Sequence, residues 1–211
     1  MDRLDPAAID VPGAEVRVLP RCASTNGVLL EESGARSPAL LAAEHQTAGR
    51  GRRGRRWHGL PGDGIAMSLR VSLRRPAREI AGLQVAAGVA AARALRAMGA
   101  KEVGLKWPND LVARGAKLGG ILVETRSGGE GVLAVLGIGI NCRAAPPRLR
   151  RAAIALRDLV KPLPSRNAVI GAIGRELMAA VREFEISGAA PFLRDWDRFD
   201  AGLQPRPAQA A

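Results

Sequence analysis

The chain has 211 residues, 47% of them hydrophobic and 25% charged, which suits one sizeable core and argues against wholesale disorder. Its formal net charge of +12 favours a polyanion or a phosphate-bearing ligand as partner. Four of the 32 basic residues are lysines (Lys101, Lys106, Lys117 and Lys161), so arginine is the ordinary cation here and each lysine is the more informative.

Residues 1–13 (MDRLDPAAIDVPG) read as a loose leader. They carry acids and prolines where a secretion signal would have a basic start and an apolar run. No apolar stretch approaches the ~20 residues of a membrane span, so the expected place is the cytoplasm, with no membrane partner. Residues 15–19 alternate like a short strand, and residues 24–32 offer a Ser/Thr cap followed by a helical apolar pair. Residues 39–43 (ALLAA) make a compact strand that runs into an arginine-rich loop. After the loop, Ile65, Met67, Leu69, Val71 and Leu73 alternate with Ala66, Ser68, Arg70 and Ser72, a half-buried strand. From 79 to 98 the positions Ile80, Leu83, Ala87, Ala91, Leu95 and Met98 step by three and four, the pattern of a long amphipathic helix. Strands are expected at 102–106, 119–124 and 132–140, with a short one at 110–113, and turns at 114–115 and 127–131. Residues 167–184 and 191–199 read as helices, and 204–211 as a frayed end. This order predicts an α+β fold, a mixed β-sheet with helices packed on one face, in a single domain over residues 14–200 followed by a disordered tail at 201–211. Cys22 and Cys142, with no CxxC pair and no neighbouring histidine, suggest neither a zinc site nor a disulfide.

Four segments break the rules of ordinary core or surface. Residues 48–59 (AGRGRRGRRWHG) put five arginines and four glycines into twelve positions. Composition leaves two readings, a solvated nucleic-acid-binding segment or an anion-binding loop. Its position between two strands pins its ends and makes its guanidinium groups converge. In KWPND, Lys106 and Asp110 flank a Pro-Asn turn and project near one strand end, where a lysine can meet phosphate and an aspartate can hold Mg2+ or orient an amine. In KLGGILVE, Lys117 precedes a Gly-Gly that lets backbone approach a ligand; the alternative is a hairpin turn with a solvated lysine. In GIGIN, the glycines at 137 and 139 leave one strand face bare, open to a flat ligand or to tight helix packing, and Asn141 offers a donor and an acceptor. Cys142 reads as a buried spectator.

With Ser24-Thr25-Asn26 and Gln46 ahead of them, these segments resemble, in order and from about residue 16 to 200, the catalytic domain of biotin protein ligases, of class II synthetase-like, biotin–lipoate ligase-like fold. The resemblance implies that biotin and ATP, with Mg2+, condense to biotinyl-5′-AMP, and that a lysine of a biotin carboxyl carrier protein then takes the biotinyl group. It assigns biotin contacts to Ser24, Thr25, Asn26, Gln46, Gly49, Arg50, Arg52, Lys117 and Gly120. Nucleotide contacts fall to Arg53, Arg55, Trp57, Lys106, Asn109 and Asn141. Lys117, Asp110 and Arg52 become the catalytic set, Lys117 for charge stabilisation and Asp110 for the acceptor amine's proton. The arginine loop becomes a lid, mobile when empty and ordered when occupied. No protein metal site is implied.

Two departures stand out. The regulatory ligases carry an N-terminal helix-turn-helix, for which the stretch before Ser24 is too short, so DNA binding is not expected. The family's small C-terminal SH3-like barrel is not evident either, which bears on turnover. A homodimer is compatible with the sequence. The nearest alternative is a lipoate ligase or octanoyltransferase of the same fold, or a ligase that makes the adenylate and transfers it poorly. The alternative of another class is a nucleic-acid-binding module using the arginine loop and the basic stretch 148–157.

Overall fold

The computed structural model describes residues 2–32, 37–128, 131–147 and 152–201. Residues 202–211 of the expected tail, the centre of the 127–131 turn and residues 148–151 of the basic stretch 148–157 lie outside them. Seven strands form one mixed sheet in the order β1-β2-β3-β7-β6-β5-β4. They are β1 (Glu15–Leu19), β2 (Ala39–Ala43), β3 (Gly64–Leu73), β4 (Gly104–Lys106), β5 (Asp110–Ala113), β6 (Ala116–Gly128) and β7 (Gly131–Asn141). Only β1 and β2 run parallel, joined across α1 (Thr25–Glu31); the other neighbours are antiparallel. The outer edge of β4 is covered where Asp200 bridges Leu105.

The expected strands are all present, with ends shifted by a few residues. Helices α2 (Leu83–Ala97), α3 (Arg166–Ser187) and α4 (Ala190–Phe199) pack over one face. The Ser165 hydroxyl caps α3 by accepting from the Ala168 N–H at 3.1 Å. Helix α2 departs from the expected amphipathic pattern in being buried nearly all round, Val85, Ala86, Val89, Ala90 and Ala92 included. Alanine and glycine on its outer side let α3 and α4 approach closely; a Cβ at Gly88 would come within 3.1 Å of the Trp196 ring. The run Ala77–Ala97 has the length and mean hydropathy (1.2) of a membrane span, contrary to expectation, but 67% of its apolar window is buried inside the protein, as in a core helix.

Two further departures bear on function. Much of the polar side of β3 is not solvated: Ser68 is wholly buried and Arg70 is 6% exposed, because α1 covers that face, and Ser72 beyond them is exposed. Residues 2–11, expected to be loose, pack onto the core through Leu4, Ile9 and Val11. Asp2 there is held by Arg143 and by Arg166 at the start of α3. Three apolar residues spread over eight positions have no period to read in the sequence.

Candidate active site

The site grows from the bare face of β7. Opposed residues of an antiparallel pair share a face, so Gly137 and Gly139 lie on the same side as Ser68 of β3 and as Gly120 and Leu122 of β6. Ile138 and Ile140 point the other way, into the core beside α2. A Cβ at Gly137 would stand 2.3 Å from Oδ1 of Asn26, and one at Gly139 only 2.4 Å from the Trp57 indole. The flat group that lies on this face is therefore Trp57, with α1 beside it.

The arginine segment is a hairpin folded over this face. Arg50 bridges Arg56, Gly51 N–H donates to the Arg55 carbonyl at 2.7 Å, and Trp57 N–H donates to the Gly49 carbonyl at 2.9 Å. Arg53 (φ 57°) and Gly54 (φ 70°) turn the tip through the left-handed region. Beneath it lies a cavity of about 510 Å3, roughly the size of small-ligand sites. Arg52, Arg53, Arg55, Arg56 and Lys106 all line it, and among the described residues none of them makes an ion pair. So many unneutralised cations around one concavity create a strong attraction for a multiply charged anion.

On the floor, Lys117 Nζ donates to Asp110 Oδ1 at 2.6 Å and stands 5.8 Å from the Trp57 ring centroid. A β-bulge puts it there. Leu111 pairs with Gly119 and Val112 with Lys117, so Leu118 is the extra residue. Strict alternation from Gly120 would send Lys117 into the core; the bulge sends Leu118 there, fully buried, and turns Lys117 toward Asp110.

A family model described as the biotin/lipoate A/B protein ligase family matches residues 18–141. The chain belongs to that family. The bifunctional ligase/repressor BirA of Escherichia coli is 39% identical over 193 residues, covering 89% of this chain and 60% of that protein. The biotin–[acetyl-CoA-carboxylase] ligase of Mycobacterium tuberculosis is 38% identical, covering 79% of this chain and 64% of that protein. The chain thus spans less than two thirds of the length of these relatives. Among solved structures, the biotin protein ligase of Aquifex aeolicus in complex with biotin and ATP superposes with a TM-score of 0.74 at 25% identity, over 90% of this chain and 79% of that one. The Leishmania major biotin protein ligase in complex with biotinyl-5-AMP shares the fold, with a TM-score of 0.74 at 24% identity over 95% of this chain and 86% of that one.

In this family member the cavity brings together Ser24, Thr25, Asn26, Gln46, Arg50, Arg52, Arg53, Arg55, Trp57, Lys106, Asn109, Asp110, Lys117 and Gly120. It does not include Gly49 or Asn141. Gly49 is the buried root of the hairpin, where a Cβ would meet the Trp57 carbonyl at 2.7 Å, and it borders a second cleft on the outer side with His45 and His58. Asn141 spends its amide nitrogen on the carbonyls of Lys117 and Ile154, both at 3.2 Å, so it holds the backbone of Lys117. Asn26 lines the cavity, but its amide is committed to Ser68, Leu122 and Glu124. Gln46 Oε1 accepts from the Thr25 N–H (2.7 Å) and hydroxyl (3.0 Å). The Asn109 amide donates to the Ile121 carbonyl at 3.2 Å, tying the KWPND turn to β6.

Sequence reasoning gave no role to Trp107, Arg56, Met67 or Leu122, all in the cavity lining. Trp107 stood inside a quoted motif; its edge-on contact with Trp196 of α4, 5.5 Å between centroids, depends on packing alone. Cys22 and Cys142 are both free thiols, and burial pushes the Cys142 thiol up to about 11, as suits a spectator. The fit of Trp57 on Gly139 gives a direct test. In Gly139→Ala the methyl must lift the indole, so tryptophan emission should move to the red while stability falls by about 1–3 kcal/mol. The chain has three tryptophans and no tyrosine, so fluorescence reads this cleanly; unchanged emission would contradict the contact.

Proposed function

We propose that the chain activates biotin with ATP as biotinyl-5′-AMP and transfers the biotinyl group to a lysine of a biotin carboxyl carrier protein. The observation that carries this is the Lys117–Asp110 pair at 2.6 Å on the floor of a cavity roofed by Arg52, Arg53, Arg55 and Arg56, which have no carboxylate partner among the described residues. In the first step an oxygen of the biotin carboxylate attacks the α-phosphorus and the bond to the pyrophosphate oxygen breaks. Two anions must meet, and their repulsion is several kcal/mol at contact in a partly buried site unless cations intervene. Lys117 would bridge carboxylate and α-phosphate. Arg50 and Arg52 would hold the biotin carboxylate, and Arg53, Arg55 and Lys106 the phosphates. Trp57 would shield the adenylate from water; its indole N–H is buried with no acceptor among the described residues and calls for one from a ligand. Ser24, Thr25, Gln46 and Gly120 would face the biotin rings.

In the second step the carrier amine, having lost a proton, attacks the acyl carbon, and AMP departs with the electron pair of the acyl–oxygen bond. Asp110 would take that proton. Among the described residues no group of three or more His, Cys, Asp or Glu could hold a metal, and Asp110 is engaged by Lys117. The residues thus fit a magnesium ion that arrives on the nucleotide, coordinated mainly by phosphate oxygens and water.

The test is to incubate the protein with biotin, MgATP and a carrier domain and to weigh the carrier. One biotinyl group on one lysine, dependent on both small molecules, is expected. No gain in mass, or a gain with lipoate or octanoate in preference to biotin, would overturn the proposal.

A further inference from the structure

Five guanidinium groups on one short hairpin repel one another, and Arg50 is the one among them with a carboxylate partner among the described residues. That partner is Glu124, on the site face of β6 beyond Gly120 and Leu122. A single oxygen, Glu124 Oε2, takes the Arg50 guanidinium at 3.1 Å and the amide nitrogen of the buried Asn26 at 2.8 Å. The Asn26 amide oxygen in turn accepts from the Ser68 hydroxyl at 2.6 Å. Ser68 Oγ lies 2.7 Å from the Thr25 hydroxyl, whose one proton serves either Ser68 or Gln46 Oε1 at 3.0 Å, and Gln46 Oε1 also accepts from the Thr25 N–H at 2.7 Å. Gln46 stands just upstream of the hairpin. The connected side chains therefore leave the hairpin at Arg50, pass through β6, α1 and β3, and return to the same limb of the chain at Gln46.

We infer that Glu124 is a positioning residue: it holds the cationic hairpin on the glycine face and sets the direction of the Asn26 amide behind it. An ionised carboxylate only accepts, so the Asn26 NH2 must face Glu124 and its oxygen must face Ser68. Charge supports the assignment. Among the described residues Glu124 is the carboxylate paired with the hairpin before a ligand brings its own charge, so its effect falls on the empty protein and on capture of the first anionic ligand. Once a carboxylate and phosphates fill the cavity, they hold the arginines themselves. The catalytic part of this inference rests on the biotin-activating function proposed above.

Limited trypsin digestion of the ligand-free protein, read by mass spectrometry, tests the hold without assuming any reaction. In Glu124→Gln, cuts after Arg52, Arg53, Arg55 and Arg56 should accelerate about fivefold, the worth of one partly exposed ion pair. The cut after the exposed Arg182 of α3 should keep its rate, and the melting temperature should stay within a few degrees. The KM for biotin should rise by a similar factor with kcat for pyrophosphate release within about twofold. Should Glu124→Gln fail to fold, Arg50→Gln removes the same pair from its exposed side and must give the same hairpin cutting. Hairpin cuts that stay at the wild-type rate, or that rise only in step with Arg182, would overturn the assignment, as would a fall in kcat at constant KM. A wild-type protein that never turns over biotin would sink the proposed reaction while the digestion still decides the role of Glu124.

Discussion

Replacing Lys117 with alanine should lower biotin-dependent pyrophosphate release by about 10^2- to 10^3-fold, the usual cost of deleting one preorganised charge at a reacting anion. Two features of the structure make the effect large. The bulge at Leu118 exists in the register that turns Lys117 out of the core, and Asn141 fixes its carbonyl, so the ammonium is held in place before any ligand arrives. The cations overhead cannot substitute for it, because they line the hairpin side while Lys117 stands on the floor against Asp110. Its loss also leaves the Asp110 carboxylate near the incoming anions without its ammonium, which adds repulsion to lost attraction. Lys117→Arg keeps the charge but spreads it over a larger planar group, and should recover part of the rate. Pyrophosphate release at the wild-type rate in Lys117→Ala would remove this residue from the chemistry.

The second large effect is on stability and lies at the base of the arginine hairpin. Arg166 at the start of α3 has a side chain only 2% exposed. It donates to Glu44 Oε2 at 2.8 Å, to Asp2 Oδ1 at 3.3 Å and to the Gly64 carbonyl at 3.4 Å. Glu44 and Gly64 are the two roots of the excursion that carries the arginine hairpin. Burial by itself would lower the Arg166 pKa, but Glu44 and Asp2 more than offset this and raise it. Burial pushes the Asp2 and Glu44 carboxyls up, yet their bonds to Arg166, together with Arg143 at Asp2 and the Leu4 N–H at Glu44, hold both below the ordinary carboxylate range. Breaking such a buried cluster in Arg166→Met should cost about 3 kcal/mol at pH 7.

The pH dependence follows from the sign of those shifts. A carboxyl whose folded pKa is depressed adds stability above its unfolded value near 4, and that stability is lost as pH falls through the folded value. The wild-type melting temperature should therefore drop steeply below about pH 4. In Arg166→Met it should start lower and fall less. Two parallel acid limbs, measured by circular dichroism, would show that the cluster does not supply the acid sensitivity.

Much of the fold and of the site was legible because its signals are local. A period of two marked β3, a Ser-capped apolar pair marked α1, and the glycines at 137 and 139 announced a bare face whatever lay on it. The burial of α2 was not legible in the same way, since alanine reads as neutral until α3 and α4 press against it. Nor was the polar side of β3, where Ser68 and Arg70 look like solvent-facing residues until α1 is laid over them.

By itself the amino-acid order determined which strands and helices form, which residues carry charge at the site, and that the arginine segment must be a loop, because these depend on neighbours a few positions apart. Tertiary structure alone decided that Lys117 turns toward Asp110, that Arg50 is held by Glu124, and that Asp2 closes on Arg166 from the other end of the chain. Each of those contacts joins residues on different elements or depends on a strand register set by its partner. Their strength comes from burial and the geometry of approach, neither of which any local repeat encodes.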